Sequence, residues 1–186
     1  MKVLSIDTSC DSLTIALKVE DKLYSYKSET VRQGHSVSLL PAIEKLLDDA
    51  EISINDVDYF GVTVGPGSFT GIRVGVATVN AFAYANKKSV VEVTTFEPFA
   101  YHNFDDKIFA IDAKHVYYIA EKFNNSLTYK TAEDGVLPDG AVEIDVTTLT
   151  PEALSQVVED KINKNQTVDF AKPFYMRASE AERNKK

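Results

Sequence analysis

The stretch Gly65-Pro66-Gly67-Ser68-Phe69-Thr70-Gly71-Ile72-Arg73-Val74-Gly75 constrains the fold of this chain most. It follows an apolar run, Tyr59 to Val64, and opens a long apolar helical pattern. Strand, glycine turn, helix is the context in which a glycine-rich motif has structural meaning. Gly65 and Gly67 bracket a proline, which implies a tight turn with outward-pointing amides. Ser68 is a natural N-cap, because its hydroxyl can accept from an amide two or three residues on. Such a helix start attracts anions through unpaired amides and the helix dipole. The motif lacks the Lys-Ser/Thr of a Walker loop, and its spacing is not GxGxxG. A turn whose glycines only permit close packing is therefore the competing reading.

The helix predicted from Phe69 to Asn86 is apolar nearly all round. Ile72, Val76, Val79 and Ala83 form one stripe; Gly71, Gly75, Thr78 and Phe82 form another. A helix apolar on every side must be covered on every side. One face covers a sheet, and the other needs a second cover, from this chain or from a partner. Small residues four apart suit a close helix crossing.

The 186 residues suffice for one domain or two small lobes, and 44% hydrophobic content supports a core. No apolar run reaches the roughly 18 residues of a membrane span. An acid, Asp7, follows the start closely, which argues against a signal peptide. One cysteine, Cys10, excludes an internal disulfide framework and leads us to expect a cytoplasmic protein. The net charge of −8 opposes autonomous nucleic-acid binding. Only the C-terminal tail, with Arg177, Arg183, Lys185 and Lys186, is locally basic enough to touch RNA within a larger complex.

Val3–Thr8 reads as a buried strand, Ser12–Val19 as a half-buried one by its alternation, and Leu23–Ser28 as a third. A helix follows from Ser36 to Ala50, with Leu39, Leu40, Ile43, Leu46 and Leu47 on its apolar face and Pro41 near its first turn. Asp56–Val64 feeds the glycine motif, and Ser89–Val93 is another strand. Thr94 or Thr95 caps a short helix to about Asn103. Strands near Lys107–Ile111, Val116–Phe123 and Leu127–Thr131 begin a second block. Thr150-Pro151 starts a helix to Asn163, and Val168–Phe170 is a last short strand. The expected division is 1–104 for a first lobe and 105–186 for a second.

The order β-β-β-α-β-α-β-α, then a new block of strands, is the plan of an α/β, actin-like ATPase lobe (ASKHA, ribonuclease H-like). The first lobe is full and the second shortened. Asp7, Thr8 and Ser9 occupy the end of the first strand, where enzymes of that fold meet a nucleotide. With Gly65, Gly67 and Ser68 they make a candidate weak nucleotide or anion site.

Three motifs narrow the reading: IDTS at Ile6–Ser9, HSVSLLPAIEKLL at His35–Leu47, and the glycine motif. Together with IDA at Ile111–Ala113 and PFYMRASEAER at Pro173–Arg183, they resemble the TsaB (YeaZ) family. The resemblance covers the first 113 residues or so and returns at the tail. It implies a bacterial protein for formation of threonylcarbamoyladenosine, next to the anticodon of tRNAs reading codons that start with A. It further implies no catalysis and no cofactor of its own, but pairing with a catalytic subunit, TsaD, with the ATPase TsaE docking on the pair. The implied pairing surface is two first-lobe helices, and His35, Leu39, Ile43, Gly71, Val74, Gly75, Thr78 and Phe82 are the candidate interface residues. A homodimer through the same face is expected for the isolated chain, with tRNA contacted only inside the complex. Two departures stand out: little chain lies between Lys130 and the terminal motif, and Lys114-His115-Val116-Tyr117-Tyr118 replaces the family's Arg- and Gly-rich turn.

The histidines His35, His102 and His115 are dispersed, with no HxxxH pair, so no metal site is expected. Ser68, His35 and Asp7 are the residue types of a triad, but a triad is recognised by geometry, and no nucleophile elbow is present. Cys10 has no stronger support as a nucleophile. The alternative function is an actin-like ATPase or small-molecule kinase using Asp7 and the Gly65–Ser68 turn.

Overall fold

The structure, a computed structural model, describes residues 1–29, 34–101, 103, 105–114 and 116–177. Its first sheet runs in the order β3-β2-β1-β4-β5, from β1 (Lys2–Asp7), β2 (Leu13–Val19), β3 (Lys22–Ser28), β4 (Tyr59–Gly65) and β5 (Ser89–Thr94). β1, β2 and β3 form an antiparallel meander, while β4 and β5 run parallel to β1. β1 is central, so both of its faces must be buried; every residue from Val3 to Asp7 is. β3 is an edge strand, and each of its residues is exposed or half-buried.

Helices cover both faces of this sheet. α1 (His35–Asp49) and α2 (Phe69–Asn86) lie on one face, where Leu39, Ile43, Leu46, Ile72, Val76 and Val79 close over Leu4, Ile6, Phe60 and Val62. On the opposite face, Leu154, Val157 and Val158 of α4 (Pro151–Asn163) pack with Val3, Val91 and Val93. The short helix α3 (Glu97–Tyr101) follows β5.

The local signals for these helices are visible in the chain. Ser68 caps α2 by accepting from the Gly71 amide at 3.2 Å, and Lys87 in the left-handed region (φ 54°) ends it. Thr150 caps α4 in the same way, with Pro151 at its start. Pro41 lies in the second turn of α1, deeper than the expected first-turn position.

The second sheet has the order β8-β7-β6-β9, from β6 (Lys107–Asp112), β7 (Tyr117–Phe123), β8 (Ser126–Ala132) and β9 (Ala141–Glu143). Asn124 and Asn125, both at positive φ, make the two-residue turn between β7 and β8. Phe109, Ile111, Ala120 and Ile144 form this lobe's core with Phe96 and Ala100 of the first block.

The expected division at residues 104 and 105 marks the start of the second sheet but not a lobe made of all that follows. α4 lies beyond it in sequence and packs on the first sheet. The segment after α4 also returns there. Val168 makes a single β-bridge with Val90 through two 2.8 Å hydrogen bonds, where a strand was expected over Val168–Phe170. Asn80 of α2 accepts from the Ala171 amide at 2.8 Å and donates to its carbonyl at 3.0 Å. The Phe174 amide donates to Val64 O at 2.7 Å, and Thr131 of β8 donates to Met176 O at 3.3 Å. Residues 168–177 thus form a strap from β5, across the flank of α2, to the edge strand of the second sheet. Among the described residues, no helix is long and apolar enough to cross a membrane.

Candidate functional site

The turn after β1 and the glycine turn after β4 come together, as the sequence predicts, but they satisfy one another. Asp7 is 1% exposed, and its Oδ1 accepts from the Ser9 amide at 2.9 Å and the Ser9 hydroxyl at 3.0 Å. The Ser68 amide, the donor a phosphate would need, is spent on Ser9 O at 2.6 Å. Thr8 donates to Gly71 O at 2.7 Å, and Thr95 donates to Pro66 O at 2.6 Å. A side chain on Gly67 would overlap the Ser9 carbonyl. Of the proposed anion site, Asp7, Thr8, Ser9 and Gly65 are buried, while Gly67 and Ser68 are exposed. The glycines serve close packing of two turns, and the expected phosphate cradle is not carried forward.

Burial pushes the Asp7 carboxyl above its ordinary range, against the pull of the Thr63 and Ser9 hydroxyls, the Ser9 amide and the charge of His35. Burial likewise raises the Cys10 thiol, helped by the Asp7 charge, so the thiol is held in its unreactive form. The paper triad does not assemble: Ser68 Oγ accepts from Gly71, His35 Nε2 lies 3.0 Å from Ser12 O, and Asp7 holds Ser9. Among the described residues, no three of His, Cys, Asp and Glu converge as metal ligands. His102 and His115 lie outside the described residues, as do Arg183, Lys185 and Lys186 of the basic tail.

A cavity of about 780 Å³ lies elsewhere, between α3, α4, β5 and the β7–β8 hairpin. Its charged walls are paired internally: Lys161 with Glu97 at 2.6 Å and Lys164 with Asp160 at 2.6 Å. Lys122 donates to the carbonyls of Ala100 and Asn103. Neither Asp7 nor the glycine turn lines it.

The helical face needs correcting residue by residue. Leu39 and Ile43 are core residues, 1% and 2% exposed. Gly71 and Gly75 are buried too, and their missing side chains admit Thr8: a Cβ on Gly71 would strike the Thr8 carbonyl, and one on Gly75 the Thr8 hydroxyl. The small stripe therefore lets the Thr8 turn approach α2, not a second helix. His35, Val74, Thr78 and Phe82 are half-buried, and Phe82 leans on Phe60 with ring centroids 6.0 Å apart. The residues exposed on α2 are Phe69, Thr70, Arg73, Ala77, Ala81, Tyr84 and Ala85. On α1, Val37, Leu40 and Pro41 are exposed, the first two at 54% and 51%. This outer set was readable from helical spacing, as the positions opposite Ile72, Val76 and Val79.

The strap extends the α2 face. Tyr175 stacks on Phe69 at 5.1 Å, and Phe170 lies 6.1 Å from Tyr84. Arg73 lies against this pair, its guanidinium 3.8 Å from the Phe69 ring centre, and its Nε donates to Tyr175 Oη at 2.9 Å.

The sequence model of the family TsaD, tRNA N6-adenosine threonylcarbamoyltransferase, matches residues 28–179. The TsaB biosynthesis protein of Bacillus subtilis is 33% identical over 139 residues, 72% of this chain and 61% of that protein. The TsaB protein of a Buchnera aphidicola strain is 33% identical over 93 residues, 50% of this chain and 44% of that one. The chain belongs to the TsaB (YeaZ) family. The matched segments span about half the length of these curated relatives. Two solved structures, YeaZ from Pseudomonas aeruginosa and a protein described as similar to YeaZ from the same organism, superpose with TM-scores of 0.75 and 0.78. They are 22% and 23% identical, and the superpositions cover 94–95% of this chain and 99% of each of theirs. At that identity they establish the fold alone, that of YeaZ.

Proposed function

We propose that this chain is a non-catalytic activating subunit in the formation of threonylcarbamoyladenosine on tRNA. It binds the catalytic subunit TsaD through the outward face of α1 and α2. The observation that carries this reading is the contrast between two surfaces. The Asp7 turn is closed and spends its polar groups internally. On α2, Ala77, Ala81 and Ala85 are exposed with Val74 half-buried, and on α1 Val37 and Leu40 are exposed. An amphipathic protein in water needs a cover for such a face. The names of its curated relatives supply the process. The same contrast favours this reading over an ATPase or kinase working through Asp7.

On this reading the modified tRNAs are those reading codons that start with A. The acidic chain leaves most tRNA contact to the catalytic subunit, and TsaE joins the assembled pair in the cytoplasm. A homodimer through the same face is the resting form of the isolated chain. The candidate interface residues that still line or support the face are His35, Val74, Thr78 and Phe82, with Leu39, Ile43, Gly71 and Gly75 holding it from beneath.

The test is threonylcarbamoyladenosine formation on tRNA, reconstituted from the matching TsaD subunit and threonylcarbamoyl-adenylate, with and without this chain. Dependence on the chain, with no ATP turnover by the chain alone, supports the reading. Equal product without the chain, together with ATP turnover by the chain alone, overturns it.

A further inference from the structure

Resting on the docking reading above, we propose that Arg73 is the charged anchor of the α2 face, pairing with a carboxylate on a helix of the partner subunit. α2 has eighteen residues, and Arg73 is its one charged residue. That residue is exposed yet held. The guanidinium lies 3.8 Å from the centre of the Phe69 ring and 5.9 Å from that of Tyr175, and the two rings stack on each other at 28°. The bond from Nε to Tyr175 Oη fixes the plane of the fork. Among the described residues, no carboxylate lies within salt-bridge distance of Arg73.

A guanidinium already fixed in one plane loses little freedom when it meets a planar acceptor. Its two terminal nitrogens match the two oxygens of a carboxylate. Arginine held among aromatic side chains is also a recurrent energetic centre of protein interfaces. The two sequence motifs that most resemble the family meet at this point: Phe69 and Arg73 come from the glycine motif, Tyr175 from the terminal one.

A phosphate would fit the same fork. The surroundings favour a protein carboxylate. Arg73 borders a row of small uncharged residues, Val74, Ala77 and Ala81, which suits a helix laid alongside. The chain's net charge of −8 disfavours a polyanion.

The experiment measures the affinity of the full chain for the purified TsaD subunit at low and high salt. Wild type, Arg73→Gln, Arg73→Lys and Ala81→Glu are compared, each first shown to keep its thermal transition. Arg73→Gln is expected to weaken binding at least about tenfold and to lose the salt dependence of wild type. Arg73→Lys should recover little, since lysine lacks the fork. If Arg73→Gln binds within about twofold of wild type while Ala81→Glu does not bind, the anchor is wrong and the docking reading stands. If neither variant changes the affinity, both are wrong. If Arg73→Gln weakens binding only when tRNA is added, the acceptor is a phosphate, and the carboxylate proposal is overturned.

Discussion

Arg73 and Tyr175 stand 102 residues apart in the chain, yet Arg73 Nε donates to Tyr175 Oη at 2.9 Å. The bond joins the second turn of α2 to the strap formed by residues 168–177. It lies at the exposed end of a run of contacts that begins at the Val90–Val168 bridge and passes through Asn80 and Val64. The strap is thus fixed to α2 along the border of its exposed face.

Asn80 carries the middle of that attachment, because it satisfies both the amide and the carbonyl of Ala171. Asn80→Ala removes both bonds from a partly buried site. The expected cost is about 1–3 kcal/mol. At about 2–4 °C per kcal/mol for a chain of this size, the thermal midpoint should fall by several degrees. Calorimetry measures the fall, and hydrogen exchange at the Ala171 amide should accelerate alongside it.

The two α2 glycines differ in what a methyl group would meet. At Gly75 the obstacle is the Thr8 hydroxyl, the end of a side chain that can rotate; at Gly71 it is the Thr8 carbonyl, which is backbone. Gly75→Ala should therefore cost about 1–3 kcal/mol by overpacking. Gly71→Ala should cost more and lower the yield of folded protein. Urea denaturation of both variants gives the order directly. Gly75→Leu, the obvious interface mutation from sequence alone, would fail as a folding defect.

How far the chain could be read in advance divides along the same line. Helix α2 was legible to the residue because its signals are local: the Ser68 cap and the 3.6-residue periodicity. The three strands of the meander were legible for the same reason. β9 was not, since three residues from Ala141 to Glu143 carry no pattern of their own and pair only because β6 is there. The packing of α4 on the first sheet was hidden in the same way, as a long-range contact. Periodicity found the glycine stripe of α2, but it names a face and not the neighbour that fills it. The neighbour is Thr8, so Gly71 and Gly75 pack inward, while Val74, Thr78 and Phe82 of the same assignment are half-buried.

Asp7 sets the response to pH. Its folded pKa is raised, so the folded state binds the proton more tightly than the unfolded chain does. Stability from this group is therefore greatest in acid and falls as pH rises from the unfolded value of about 4 through the folded value. Ionising Asp7 puts a charge at a buried position, with Ser9 as its hydrogen-bond partner. Asp7→Asn keeps an acceptor for the Ser9 amide and removes the charge. Its thermal midpoint should exceed that of wild type at pH 7–8, and the gap should close below about pH 4. A gap that stays constant with pH would refute the assignment.

Tyr129 joins the lobes, packing between Phe96 and Phe174 with its hydroxyl 3.1 Å from that of Thr94. Burial, with the nearby Glu97 charge, pushes its pKa up to about 12. The phenolate form is thus disfavoured by folding, and stability falls as pH rises above the ordinary value near 10. Tyr129→Phe should flatten that alkaline fall. The ultraviolet titration of the native chain should lose its last tyrosine step in the variant.

The central claim is that the outward face of α2 receives the catalytic subunit, and Ala81 tests it most directly. Ala81 is exposed, so Ala81→Glu should leave stability within about 0.5 kcal/mol of wild type. Size-exclusion chromatography with light scattering, on equimolar mixtures with the TsaD subunit, reads the complex. The account predicts a heterodimer with wild type and two separate species with Ala81→Glu. A heterodimer formed equally well by the folded variant would contradict it.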